Sequence, residues 1–210
     1  MDARRSAGLG LAGYGVLTIV AMFGLNTPGG DFEPDKVTAY LSPDHLGEAV
    51  VFGYAGILGA LCLLVFGRGA RALVVRGADL VWALVVASVT AGVLGATAAG
   101  GIAVAGAEGG DAIRTGVPLP VVQMLGEVTG LVMLCVPALF VGVVAIVLAR
   151  RAELPAWLRV AGIVAGACGI LAPAFFTFFV FLLWTLVFGG WLALARRPLT
   201  VAAQPIASLV

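Results

Sequence analysis

Few side chains in this 210-residue chain are equipped for chemistry in an apolar setting, and four of them form two pairs. His45 and Glu48 stand three residues apart, so on a helix they share a face. Gln123 and Glu127 stand four apart and share a face as well. An imidazole beside a carboxylate titrates near neutral pH, and ionisable groups near lipid are costly enough to count as functional candidates. If the helices carrying them are neighbours, His45, Glu48, Gln123 and Glu127 line one candidate polar cavity, able to hold a cation or relay a proton. Each also has an ordinary reading. His45, with Asp44, suits the first turn of a helix, and Glu127 suits an interfacial structural acid. Tyr14 and Thr18, one helical turn apart, are expected to hydrogen-bond a neighbouring helix.

Other chemistries lack their residues. With one histidine, the chain has no pair of axial ligands for a transmembrane haem. Ser88 has no membrane histidine to activate it as a nucleophile. Cys62, Cys135 and Cys168 form no C-x-x-C and read as small buried hydrophobes, so neither a thiol-redox site nor a metal site is assigned. There is no phosphate-binding loop. No catalytic residue and no cofactor are assigned, and an enzyme is disfavoured; a lipid-modifying enzyme would have only the acids to work with.

The elements that must position these residues follow from composition. The chain is 61% apolar and 11% charged, too little charge to cover a water-facing surface, so the lipid bilayer is its main partner. A net charge of +1 with no basic face argues against nucleic acid. A bilayer core needs roughly 20 apolar residues per helix. The stretches 7–25, 47–66, 80–106 and 121–148 meet this, and the tract 155–195 is too long for one span. Pro173 near its middle divides it into helices over 155–172 and 174–195. The fold expected is all-α: one integral membrane domain, a polytopic transmembrane bundle of six helices.

Charge placement gives the orientation. With six spans, Arg4, Arg5, Arg68, Arg71, Arg76, Arg150, Arg151, Arg159, Arg196 and Arg197 all fall on one side, which marks both termini as cytoplasmic. Five spans would put Arg196 and Arg197 outside. The first apolar stretch is longer than a secretory signal core of about 7–15 residues and is expected to be retained. Ser42-Pro43-Asp44 opens the second helix with an N-cap, an N1 proline and an acid. In the first external loop, Val37, Tyr40 and Leu41 form one face expected to lie on the membrane.

Small residues are expected to pack the bundle, because lipid offers no hydrophobic drive between helices. Ser88, Gly92, Ala96 and Gly100 form an i+4 stripe that places the third spanning helix centrally. Gly162-x-x-x-Gly166 and Gly126-x-x-x-Gly130 supply further close-contact pairs, and Pro137 is expected to bend its helix. Phe175, Phe176, Phe178, Phe179 and Phe181 read as a wall facing lipid or another subunit.

Three stretches together carry a resemblance. They are the acidic loop with Val37-Thr38-Ala39-Tyr40-Leu41 and His45, the basic exit Gly67-Arg68-Gly69-Ala70-Arg71-Ala72-Leu73, and the entry Glu153-Leu154-Pro155-Ala156-Trp157-Leu158-Arg159. This arrangement resembles a family of six-helix bacterial inner-membrane proteins catalogued as domain of unknown function 4386. The resemblance implies the helix count and a bacterial plasma (inner) membrane location, with no activity and no site residues. The function expected is a non-enzymatic one, through helix association with itself as a homo-oligomer or with another membrane protein. The alternative is a small permease or ion-coupled carrier that uses the outward polar cavity.

Overall fold

The computed structural model describes residues 2–74, 76–174 and 176–194; Phe175, Ala195, Arg196 and Arg197, used above, lie outside the described residues. The described chain is helical, with α1 (Ala3–Leu25), α2 (Pro34–Tyr40), α3 (Leu46–Arg71), α4 (Ala78–Glu108), α5 (Gly110–Gly116), α6 (Leu119–Arg151), α7 (Ala156–Ile170) and α8 (Phe176–Leu194). Single 3₁₀ turns cover Pro43–His45 and Ala172–Ala174. Among the described residues, five helices are long and apolar enough to cross a membrane: α1, α3 with its leading turn, α4, α6 and α8. The other long apolar helix, α7, has 15 residues. The whole is an apolar helical bundle compatible with an integral membrane protein.

The long helices form a closed ring in the order α1, α3, α4, α6, α7, α8, and α8 returns to α1. Neighbours run antiparallel, as their close contacts show. Gly8 lies against Ala193 and Gly189 against Ala12 between α1 and α8. Gly10 meets Phe66, and Gly69 meets Ala3, between α1 and α3. Between α6 and α7, Gly142 meets Gly166 and Gly169, while Gly162 meets Ala149. Backbones approach this closely only because no Cβ stands between them, which maximises dispersion contact where lipid offers no other drive.

The α4 stripe packs as small residues should, but it does not make α4 the hub. Gly92 faces Ala60 of α3 and Pro137 of α6, and Gly56 of α3 faces Ala96. Buried Ser88 donates to the carbonyls of Leu84 at 2.8 Å and Pro137 at 3.5 Å. α4 is one member of a ring, and the tightest contact on it belongs to Gly95, where a Cβ would fall on the Met133 backbone. α6 runs on through Pro137 as a single helix.

One end of the ring carries the arginines. Arg4 lies over the Trp191 ring at 4.3 Å, and Arg71 pairs with Asp79 at 3.2 Å. Arg151 donates to the Arg76 carbonyl at 2.6 Å, tying the α3–α4 turn to the end of α6. That turn closes on Gly77, whose φ of 92° lies in the left-handed region open to glycine.

The opposite end is built from α2, α5 and the segment before α2. Three expectations change here. The α2 face does not lie on lipid: Val37, Tyr40 and Leu41 are buried against α3, α4 and α6, with Leu41 pressed on Gly106. The Tyr40 hydroxyl donates to the Ala99 carbonyl at 2.7 Å. Burial pushes this phenol above its usual range, so it stays a donor. Second, Gly126-x-x-x-Gly130 receives no helix; the Thr27–Pro28 segment lies on it. Third, the phenylalanine wall divides. Phe176 is exposed, but Phe178 and Phe181 face the interior and begin an aromatic column. Successive rings from Phe181 through Trp184 and Phe188 to Trp191 stand 6.1, 5.0 and 6.3 Å apart. The column fills the ring along α8.

Candidate functional site

The two polar pairs each form, at separate places on the end opposite the arginines. His45 closes the 3₁₀ turn that Ser42 caps, with Ser42 Oγ accepting from the Asp44 amide at 3.3 Å. Its Nδ1 lies 3.4 Å from Glu48 Oε2, and the Tyr40 ring stands 5.0 Å from its imidazole. The Tyr40 ring contact sets the end of α2 beside the α3 entry.

Gln123 and Glu127 do different work. Buried Gln123 donates from Nε2 to the Gly30 carbonyl at 2.7 Å and, at 3.4 Å, to Glu127 Oε1. One amide thereby pins the Asn26–Gly30 segment onto α6 and orients the carboxylate. The Glu127 stem packs against this segment, 3.5 Å from where a Gly29 side chain would begin.

None of the cavities formed by the described residues is lined by all four of these side chains. α4 stands between α3 and α6 in the ring, so the two helices touch only slightly. Glu127 lines a cavity of about 550 Å³ between the C-terminal end of α1, the Asn26–Gly30 segment, α6 and the start of α8. Its polar lining, the rim, is Asn26, Thr27 and Glu127; its apolar lining, the floor, is Met22, Leu134, Cys135 and Phe178 with the half-exposed Leu131. Neither His45 nor Glu48 is among its lining residues. The volume falls within the range of small-molecule sites, roughly 300–1,000 Å³. Phe178, Met22 and Asn26 were not legible as site residues, because their role depends on where the ring closes. Gln123 supports the rim from beside it.

At the arginine end a second cavity, of about 480 Å³, is lined by Ala3, Ser6, Val65, Arg68 and Gly69. Tyr14 and Thr18 line a space of about 10 Å³ near the centre of the ring, with Gly56, Ala60, Gly92 and Met133 around it. That is close to the minimum room for one water.

No protein-family model, no curated protein and no solved structure matches the chain.

Proposed function

We propose that the chain is a six-crossing protein of the bacterial plasma membrane, with both termini cytoplasmic and a ligand site open to the outside. On this reading it is a small binding protein or permease without catalytic chemistry of its own. The cavity lined by Glu127 is the observation that carries it.

The crossing number rests on length and direction. α7 rises about 22 Å and its 3₁₀ turn about 6 Å, close to the 30 Å of a bilayer core. α7 runs antiparallel to α6, and α8 runs antiparallel to α1, which supports an even count. Counting about 30 Å outward from the arginine ends, at 1.5 Å per residue, brings the outer hydrocarbon edge to a consistent level. From Arg4 it reaches Gly24, from Arg71 Val51, from Asp79 Ala99, and from Arg151 Leu131. These levels agree with packing, since Gly24 meets Phe52 and the Ala99 carbonyl meets the outer cap. Kinship with the six-helix family of unknown function is part of the proposal and rests on the three stretches that resemble it.

Association through small residues is the weaker reading. Gly92, Gly95, Gly142, Gly162, Gly166 and Gly169 all have partners inside this chain, so the stripes serve its own assembly.

Cys135 on the cavity floor supplies the test. In a Cys62→Ala, Cys168→Ala background, a small impermeant methanethiosulfonate applied to intact cells is expected to modify Cys135. Leu131→Trp, which fills the cavity, is expected to block the reaction. An unmodified Cys135 beside a reacting external control thiol at position 111 contradicts the proposal. So does labelling that Leu131→Trp leaves unchanged.

A further inference from the structure

We infer that the ligand of this cavity is an amphiphile with a cationic ammonium head and an apolar body. The inference deepens the reading of the cavity as an outward ligand site and rests on it.

The rim carries negative charge and hydrogen-bonding groups, which suits a positively charged head. Among the described residues, Glu127 is its one charged side chain, and no lysine, arginine or histidine lines the cavity. The Glu127 carboxylate is held in place by Gln123, whose own Oε1 is buried without a hydrogen-bond partner among the described residues. The two cations at this end are already engaged: Lys36 with Glu33 at 2.7 Å and Arg114 with Asp111 at 3.0 Å. Asp31, Asp35, Asp44, Glu48 and Glu108 add to the negative field around them. Such a field concentrates cations and repels anions.

The floor asks for something else. Met22, Leu131, Leu134, Cys135 and Phe178 offer thioether, alkyl, thiol and aromatic surface without a charge. Glu127 and Leu131 are one helical turn apart, about 6 Å by helical rise. With the hydrocarbon edge at the level of Leu131, the carboxylate lies on the water side and the floor on the lipid side. An ammonium at Glu127 with an alkyl or aromatic body on Phe178 matches both environments at once. A free alkylamine in the external water and an aminolipid of the outer leaflet share this chemistry.

Charged thiol reagents read the preference directly. In the Cys62→Ala, Cys168→Ala background, Cys135 is titrated with methanethiosulfonates bearing a trimethylammonium or a sulfonate group, each rate being divided by that for a free thiol. The cationic reagent is expected to react about tenfold faster. Glu127→Gln is expected to remove most of this difference, and Glu127→Asp to keep much of it.

Protection then separates the sources, with protein reconstituted in vesicles. If hexyltrimethylammonium slows modification in phosphatidylglycerol vesicles, the site accepts a soluble cation. If phosphatidylethanolamine vesicles alone slow it, the site takes the aminolipid. Either result supports the inference. Equal rates for the two charges, or protection by hexanoate or hexanol matching that by the ammonium, overturns the cationic class while the cavity stands. Failure of both reagents to reach Cys135 removes the cavity itself.

Discussion

Replacing Gly95 with leucine is expected to leave the protein unable to assemble a stable bundle, while Gly100→Ala is expected to be tolerated. Both glycines lie on α4 among small residues, and sequence spacing singles out Gly100 through its stripe with Ser88, Gly92 and Ala96. The contacts rank them the other way. A Cβ at Gly95 would land on the backbone of Met133, which no side-chain rotation can clear. At Gly100 the nearest atom is the Ala49 carbonyl oxygen at 3.8 Å, an ordinary contact. Overpacking a tight interface costs about 1–3 kcal/mol even when flexible atoms can move. Here α4 and α6 would have to separate, so the loss belongs at or above that range. Fluorescence-detected size exclusion after graded heating reads the outcome. A midpoint for Gly95→Leu equal to that of the parent would show that the α4–α6 contact does not hold the ring.

The second large effect is expected at the aromatic column. Phe181 is fully buried, near Trp184 and against the surface that Gly169 leaves open. Phe176 is 84% exposed at the start of the same helix. In water both truncations would lose hydrophobic transfer energy, but lipid solvates a phenyl ring about as well as a protein interior does. What remains at Phe181 is loss of close packing, because the void left inside the ring cannot be filled by lipid. Phe181→Ala is expected to destabilise by roughly 2–3 kcal/mol, below the 3–5 typical of soluble cores. Phe176→Ala is expected to cost less than about 0.5 kcal/mol, as at an unconstrained surface. Equal shifts in the denaturation midpoint for the two variants would contradict the inward placement of the column.

These two pairs of residues show what a sequence of this kind exposes and what it hides. The bodies of the helices are legible because lipid imposes a minimum apolar length. Their ends are not, because backbone hydrogen bonding continues past the hydrocarbon; α6 runs from Leu119 to Arg151, beyond the apolar stretch that suggested it. The break at Pro173 is legible from the missing amide of proline. The short α5 is not, since seven residues with Ile113 as their one large apolar side chain carry no period. On α2 the shared face of Val37, Tyr40 and Leu41 is visible in the spacing, but whether it meets lipid or protein is a tertiary matter. On α8 the rings at 178, 181, 184, 188 and 191 follow helical spacing, a signal obscured by the adjacent phenylalanines at 176 and 179.

The candidate site divides in the same way. Local pairing of His45 with Glu48 and of Gln123 with Glu127 follows from helix geometry. Joining the pairs required α3 beside α6, and the ring puts α4 between them. Likewise Gly126-x-x-x-Gly130 advertises a close approach without naming the visitor, which is the extended Thr27–Pro28 segment and not a helix.

The central claim is that the arginine end of an even-numbered bundle faces the cytoplasm, and cysteine topology in intact cells tests it most directly. Lys36→Cys, Asp111→Cys, Arg71→Cys and Thr200→Cys are introduced singly into a chain with the native cysteines replaced. An impermeant maleimide is expected to label positions 36 and 111 at once, and positions 71 and 200 only after the cells are opened. Labelling of 71 with 36 and 111 protected, or labelling of 200 in intact cells, would contradict the account.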